Sequence, residues 1–193
     1  MRIGVLAMQG AFAEHRQALE RVGAEPVDVR LPQHLEELDG LIIPGGESTT
    51  IGQVAEEWGL IGPIRAFAAS GRPVWGTCAG MILMAKQVLD GVPGQPLLRL
   101  MDIAARRHAF GRQVDSFEMD LAVPVLGEPP YHAVFIRAPL IAQVGADVDV
   151  LAQLDDGRAV AARQGNLLVT AFHPELTADD RFHRYFVSFA PTR

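Results

Sequence analysis

The sequence predicts an α/β fold, with an open, mixed and mostly parallel sheet that is flanked by helices. Strand-like and helix-like segments alternate through the first half of the chain with short connections, which is typical of such sheets. The strand-like segments are continuous apolar runs, as expected for parallel strands that are buried on both faces. Glycine-rich or reactive residues follow three of these runs, at the sheet edge where sites form in open α/β folds.

The composition indicates one globular domain that spans residues 1–193. Hydrophobic residues make up 49% of the chain and charged residues 21%, which provides enough apolar material for a sizeable core. The net charge of −6 and the lack of a basic run argue against a nucleic-acid partner. One cysteine excludes an internal disulfide and fits a cytoplasmic location. The first apolar run is too short for a signal sequence or a membrane span, so we expect no membrane partner.

In the first half, apolar runs and helical spacing define the elements in order. A first strand is predicted over 3–7, followed by a helix over 11–22 with Gly23 in the position of a C-terminal glycine. The further predicted strands are 26–29, 41–43 and 73–75. The further predicted helices are one that starts near 48–50, where Ser and Thr favour an N-cap, and those over 64–69 and 81–85.

The second half is richer in strands. Its predicted strands are 103–107, 114–121, 133–136, 150–154, 159–163 and 167–171. Asp156 and Gly157 between two of them form a hairpin signal, so some of these strands should be antiparallel and extend the sheet. Residues 91–96 indicate a surface loop. A closing helix over 178–189 carries four aromatic residues on one face: Phe182, Tyr185, Phe186 and Phe189.

Cys78 is the only cysteine, and it lies between Gly76 and Gly80 at a predicted strand–turn–helix. Flanking glycines are typical of a nucleophile elbow, a strained turn with no room for nearby Cβ atoms. The start of a helix also favours a thiolate. A single cysteine is more often a small buried apolar residue, but the two glycines favour a nucleophile here.

His173, Pro174 and Glu175 follow the apolar run at 167–172. A thiol nucleophile needs a base, and the base needs an orienting carboxylate. Alternate residues of an extended segment point to one side, so His173 and Glu175 can face the same pocket. An ordinary surface turn is the main alternative. A zinc site of the deaminase type would need further cysteine ligands, which the chain lacks, so we expect no metal.

The segment from Pro44 to Ser48 contains Gly45 and Gly46 directly after a buried strand. Paired glycines allow backbone N–H groups to turn into a site as oxyanion donors, and the N–H of Ala79 would be the second donor. A glycine-rich turn without chemistry is the alternative. A phosphate-binding loop is less well supported, because neither glycine signature for one is present.

Taken together, these residues resemble the class I (triad) glutamine amidotransferases, which have a flavodoxin-like fold. The resemblance is greatest to the glutaminase subunits of two-protein pyridoxal 5′-phosphate synthases. It is carried by the segments 4–10, 41–50, 76–80, 110–118, 135–139 and 172–177. The cysteine elbow and the His-x-Glu pair are common to the class, whereas the segment 110–118 and the early Gln9-Gly10 are more specific to this subunit.

The resemblance implies that Cys78 attacks the side-chain amide of glutamine, which releases ammonia and forms a γ-glutamyl thioester. His173 would act as base and then acid, and Glu175 would orient it. Water would release glutamate. The ammonia would pass to a synthase subunit in a large hetero-oligomer, which makes pyridoxal 5′-phosphate from pentose and triose phosphates. The chain itself would need no cofactor.

The resemblance also implies glutamine contacts at Gly46, Glu47, Ser48, Arg107, Ile136 and Arg137. A guanidinium can hold the α-carboxylate of glutamine with two hydrogen bonds, although Arg106 beside Arg107 leaves the register open by one residue. The family commonly has Asn where this chain has His108. Gln9 and Gly10 would lie where the synthase docks and completes the oxyanion hole.

Two other functions stay open at this point. A glutaminase of another pathway, such as histidine biosynthesis, would use the same chemistry. A non-catalytic module on the same fold is disfavoured by the complete triad. The histidines outside the triad show no ligand spacing, and we expect them to be surface or core residues: His15, His34, His108, His132 and His183.

Overall fold

A computed structural model of the protein describes residues 1–107 and 116–190. His108 and most of the segment 110–118 therefore lie outside the described residues. The described strands are β1 (Arg2–Leu6), β2 (Glu25–Val29), β3 (Gly40–Ile43), β4 (Val74–Thr77), β5 (Ala85–Val88), β6 (Met101–Arg106), β7 (Ser116–Leu121), β8 (Tyr131–Ile136), β9 (Leu140–Val144), β10 (Asp149–Gln153), β11 (Ala159–Gln164) and β12 (Leu167–Thr170). The described helices are α1 (Phe12–Arg21), α2 (Ser48–Glu57), α3 (Ile61–Ala69), α4 (Ala79–Met84) and α5 (Arg181–Val187).

A central mixed sheet confirms the predicted α/β class. Its strand order is β2-β1-β3-β4-β12-β11-β9-β6-β5, and β10 pairs with β11. The strands from β2 to β12 in this order are parallel, and β11 pairs antiparallel with β12, β9 and β10. The hairpin predicted at Asp156 and Gly157 joins β10 to β11. Strands β7 and β8 form a separate antiparallel pair.

Two strands were not predicted, three helices start two or three residues away from their predicted starts, and the capping residue of α2 differs from the prediction. Residues 85–88 form β5 because Ala85 takes an extended conformation (ψ 142°) that ends α4. Strand β9 has two buried residues followed by three exposed ones, so it lacks the pattern of a buried strand. Helix α2 is capped by Glu47, whose carboxylate accepts the backbone N–H groups of Thr49 and Thr50, and not by the predicted Ser or Thr.

The core continues from the sheet into the closing helix. Phe182 and Phe186 of α5 are fully buried and pack against Trp75 of β4, with ring centroids 6.2 and 5.5 Å away. Tyr185 and Phe189 are half-buried, and the guanidinium of Arg163 lies 4.0 Å from the Phe189 ring centroid. The aromatic face predicted for this helix therefore joins it to the sheet.

Within residues 1–107 and 116–190, no helix combines the length and the apolar character that crossing a membrane requires.

The turn between β4 and α4 lies directly against its neighbours. A Cβ atom on Gly80 would collide with the carbonyl oxygen of Ile43 on β3, and a Cβ on Gly76 would lie 2.5 Å from the backbone of Gly80. Both obstacles are backbone atoms, which cannot move aside as a flexible side chain could. Glycine is therefore needed at these two positions for the turn to approach the sheet.

We predict that Gly80→Ala destabilises the fold by about 2–4 kcal/mol, because the new methyl group forces the turn away from β3. Gly62→Ala is the matched control, since Gly62 lies on α3 with nothing near its missing Cβ. That change should leave the free energy of unfolding unchanged or raise it by up to about 1 kcal/mol. Urea unfolding of both variants measures the difference, and equal stabilities would contradict the packing described here.

Candidate active site

Three loops meet at one edge of the sheet. Strand β4 pairs in parallel with β3 on one side and with β12 on the other. The segments that follow these three neighbouring strands therefore leave the sheet side by side, at its carboxyl edge. They are the three segments that the sequence predicts to carry chemistry: 44–48, 76–80 and 172–175.

Cys78 occupies the apex of the turn in a strained conformation. Its backbone has φ 49° and ψ −104°, a conformation that residues with a side chain rarely adopt. Its N–H donates to the carbonyl of Thr170 on β12 at 2.8 Å, which holds the turn to the neighbouring strand. The residue is only 7% exposed. The predicted elbow is thus present, with its thiol in a largely enclosed position.

His173 and Glu175 form the pair that the sequence predicts. The Nδ1 atom of His173 lies 2.7 Å from Oε1 of Glu175, and both residues are buried. The backbone N–H of His173 donates to the carbonyl of Val134 on β8 at 2.9 Å, which fixes the backbone that carries the imidazole ring. The expected reason for the pairing was wrong. A single-turn 3₁₀ helix over Pro174–Leu176, not an extended segment, turns the carboxylate back to the ring.

The electrostatics of the pair suit acid–base chemistry. Burial lowers the pKa of His173, but its hydrogen bonds with Cys78 and Glu175 outweigh burial and raise that pKa to about 10. Burial raises the pKa of Glu175, but His15 and the hydrogen bond with His173 bring it below its ordinary value. The arrangement therefore favours a charged imidazole between a carboxylate and a thiol, the environment that a thiolate nucleophile needs.

The glycine-rich segment lies over this pair. A Cβ atom on Gly45 would lie 2.5 Å from Cε1 of the His173 ring and 3.3 Å from Cβ of Cys78, so a side chain there would fill the site. The carbonyl of Gly45 accepts the N–H of Ala11 at 3.2 Å. Gly45 is therefore fixed between α1 and the reactive residues.

Gln9 and Gly10 contact the same segment from the other side. The Oε1 atom of Gln9 accepts the backbone N–H of Glu47 at 2.7 Å. Gly10 has φ +98°, and a Cβ there would collide with the carbonyl of Gly45. These two residues thus lie directly against the loop from which the predicted oxyanion donor, Gly46, would act.

The predicted substrate contacts are placed around the same edge. The guanidinium of Arg107 lies 2.9 Å from the carboxylate of Glu47, and its side chain is 14% exposed. Arg106 is exposed and pairs with Leu140 of β9. The structure therefore places Arg107, and not Arg106, beside the glycine-rich loop.

Three further residues predicted to contact glutamine are Ser48, Ile136 and Arg137. Ser48 is buried, and its hydroxyl accepts a hydrogen bond from Gln95 at 3.1 Å. Ile136 is half-buried, and Arg137 is exposed with φ 43°. Both follow Val134, whose carbonyl accepts the backbone N–H of His173, by two and three residues along the chain. Ala79 opens α4, where N–H groups have no partner within the helix.

Two histidines expected to be inert contribute to this region. His15 of α1 lies 3.3 Å from Oε2 of Glu175, and its other ring nitrogen lies 3.0 Å from His183. A single histidine at a helical position carries no signal of such a contact, so only the folded structure shows it. His132, by contrast, lies on the surface between Asp120 and Glu118. No group of three or more His, Cys, Asp or Glu residues in the described ranges could hold a metal ion.

Comparison with known proteins gives matches along nearly the whole chain. The sequence model of the SNO glutamine amidotransferase family matches residues 5–190. Pyridoxal 5′-phosphate synthase subunit PdxT of Herpetosiphon aurantiacus is 63% identical over 188 residues, covering 97% of this chain and 99% of that protein. The protein of the same name from Roseiflexus sp. is 58% identical over 188 residues, covering 97% and 100%. A crystal structure of a glutamine amidotransferase matches with a TM-score of 0.92 and 50% identity, covering 97% of both chains.

We predict that Cys78→Ala lowers the pKa of His173 below the wild-type value of about 10, because the hydrogen bond and charge of Cys78 help to raise it. Titration of ¹⁵N-labelled histidine rings by NMR measures this shift. His132 is the internal control, since Asp120 and Glu118 raise its pKa and Cys78 does not contribute. An unchanged His173 titration in the variant would contradict the described coupling.

Proposed function

The chain belongs to the SNO glutamine amidotransferase family, and from this membership we propose how its residues carry out the family's reaction. The chain is a glutaminase. It hydrolyses L-glutamine to L-glutamate and ammonia, and it delivers the ammonia to a synthase subunit that makes pyridoxal 5′-phosphate. The observation that carries the proposal is the arrangement of Cys78, His173 and Glu175 at the carboxyl edge of the sheet, with the ring of His173 bound to Glu175 at 2.7 Å.

The reaction proposed for this site has two halves. In the first, the Cys78 thiolate attacks the amide carbon of the glutamine side chain, and the charged His173 gives its proton to the departing nitrogen. Ammonia leaves and a γ-glutamyl thioester remains. In the second half, neutral His173 takes a proton from water as the water attacks the thioester, and glutamate is released. Because Nδ1 of His173 is bound to Glu175, Nε2 is the nitrogen that serves Cys78 and the water.

The oxyanion formed in each half needs hydrogen-bond donors. We assign this role to the backbone N–H groups of Ala79 and Gly46, one at the start of α4 and one in the loop above the thiol. Backbone donors fixed in place before the reaction stabilise developing negative charge at no cost of reorganisation. Their effectiveness depends on the conformation of the loop at 44–48, which Gln9 and Gly10 contact.

Glutamine carries both a carboxylate and an ammonium group at its α-carbon. Arg107 offers a partner for the carboxylate, and the neighbouring carboxylate of Glu47 offers one for the ammonium group. Ser48, Ile136 and Arg137 complete the proposed contacts. The existing Arg107–Glu47 pair holds both side chains in place before the substrate arrives.

The chain works with a synthase subunit, and we propose that this occurs in a large cytoplasmic hetero-oligomer. Gln9 and Gly10 precede α1 on the outer side of the glycine-rich loop, where contact with a partner would change the loop directly. Free ammonia would be protonated and lost in water, so the site should open towards the partner and not towards bulk solvent. The single thiol of Cys78 fits a reducing compartment.

We predict that glutamate release by the chain rises strongly when a pyridoxal 5′-phosphate synthase subunit is added, and that Cys78→Ala lowers the rate by at least about 10³-fold. Gln9→Ala should reduce the stimulation by the synthase while leaving the fold intact. A glutaminase assay with and without the synthase measures each effect. Full activity of Cys78→Ala in the complex would contradict the mechanism, and no stimulation of the wild type would place the chain in another pathway.

We predict that Arg107→Gln raises the KM for glutamine by about 10- to 100-fold, since a charged hydrogen bond to the α-carboxylate is lost. Arg106→Gln is the matched control on the neighbouring residue and should change KM by less than about two-fold. Steady-state kinetics with the synthase present compares the two. A larger effect of the Arg106 change would show that the assignment is off by one residue.

A further inference from the structure

A buried histidine of α1 lies behind the triad. The side chain of His15 is completely buried, and its Nε2 atom lies 3.2 Å from the hydroxyl of Thr77 and 3.3 Å from Oε2 of Glu175. Its Nδ1 atom lies 3.0 Å from Nε2 of His183 on α5. This ring therefore joins α1, β4, α5 and the segment after β12 at one point beneath the reactive residues.

The second oxygen of Glu175 depends on this ring. Oε1 is bound by His173, whereas Oε2 is buried and has no well-aligned hydrogen bond from the described residues. The nitrogen that the structure places beside Oε2 is Nε2 of His15. A buried carboxylate oxygen without a donor is costly, and the terminal torsion of a glutamate is only weakly restricted by rotamer preference. A proton on His15 Nε2, shared between Thr77 and Glu175, would both satisfy and orient this oxygen.

The partners of the two buried histidines determine where the protons lie. A carboxylate only accepts, so Nε2 of His15 must carry its proton, and Nδ1 must then accept from Nε2 of His183. This leaves Nδ1 of His183 unprotonated, and this is the ring atom without a partner among the described residues. The opposite tautomers would set a lone pair against the carboxylate and bury an unpaired N–H. The first pair of tautomers avoids both conflicts, and it directs the Nε2 proton of His15 at Glu175.

The surroundings keep His15 neutral. Burial lowers the pKa of His15, and the opposing effect of Glu175 does not overcome it. Burial, together with His15, brings the pKa of His183 well below its ordinary value. The titratable groups that face His15 are Glu14 on its own helix, His183 on α5, and His173 and Glu175 after β12. His15 thus serves as a hydrogen-bond donor without adding a second charged imidazole to the site.

We propose that His15 is a positioning residue of the reaction, which holds Oε2 of Glu175 so that Oε1 stays directed at His173. The proposal rests on the proposed glutaminase function, because it assigns His15 a part in the same site. Without the His15 donor, Glu175 would protonate more readily or turn away from His173. In either case the negative charge of Glu175, which orients the His173 ring and keeps it protonated, would no longer lie beside that ring.

The first test uses the free chain and needs no activity. His15→Leu removes the donor with little change of size, whereas His15→Gln keeps an N–H near the position of Nε2. NMR titration of His173 should show a lower pKa in His15→Leu and a value near that of wild type in His15→Gln. A purely structural role of His15 would lower the thermal stability without this difference between the two variants.

The second test uses the complex with the synthase subunit. His15→Leu should lower kcat by about 10- to 100-fold with KM changed by less than about two-fold, the range found when a residue that orients a metal-bound histidine is lost. Loss of a donor to the charged carboxylate raises the pKa of Glu175, so the acid limb of kcat should move to higher pH. His15→Gln should recover most of kcat. If His15→Leu does not fold, His15→Asn replaces it, because its shorter amide falls short of Oε2.

The outcomes separate this proposal from the proposed function. An inactive wild-type complex would contradict the glutaminase function, and the titration of His173 would still test His15. An active wild type with a folded His15→Leu or His15→Asn of unchanged kcat and unchanged acid limb would overturn the positioning role. Equal loss of kcat in His15→Gln and His15→Leu would overturn it as well, since donor chemistry would then not matter.

Discussion

The close approach of the β4–α4 turn to β3 is the constraint on which the site depends. The carbonyl of Ile43 occupies the space where a side chain at residue 80 would lie, and Cys78 takes a left-handed φ of 49° at the turn's apex. The N–H of Cys78 is bound to Thr170, so neighbouring strands hold the turn on both sides. The strain at one residue is therefore supported by hydrogen bonds and packing along three parallel strands. It directs the thiol out of the sheet, towards His173.

From this turn, the chemistry extends outward through a row of buried polar groups. Cys78 contacts His173, His173 contacts Glu175, and Glu175 lies against His15. Each member is buried, Cys78 and Glu175 raise the pKa of His173, and His15 and His173 lower the pKa of Glu175. Helix α1 contacts the site at two places. Its start lies against the glycine-rich loop, and His15 lies behind the carboxylate of Glu175. One helix thus borders both the proposed oxyanion loop and the proposed triad.

Much of this arrangement follows from the sequence, because its causes are local. Glycines around Cys78 predict the elbow, apolar runs predict the buried parallel strands, and the predicted reactive segments follow three strands that prove to be neighbours. Features set by the tertiary structure were not predicted. Strand β9 is buried only at its first two residues, Glu47 replaces the expected cap of α2, and the contact of His15 with Glu175 joins residues 160 positions apart. Only folding shows that Arg107 faces the loop and Arg106 does not.

The most direct test of the account is labelling of Cys78 by an electrophilic glutamine analogue in the complex with the synthase subunit, followed by peptide mass spectrometry. We predict that the label appears on Cys78, that excess glutamine prevents it, and that His173→Ala strongly slows it. A complex that hydrolyses glutamine but carries no label on Cys78, or is labelled at another residue, would contradict the assignment of the nucleophile and with it the mechanism.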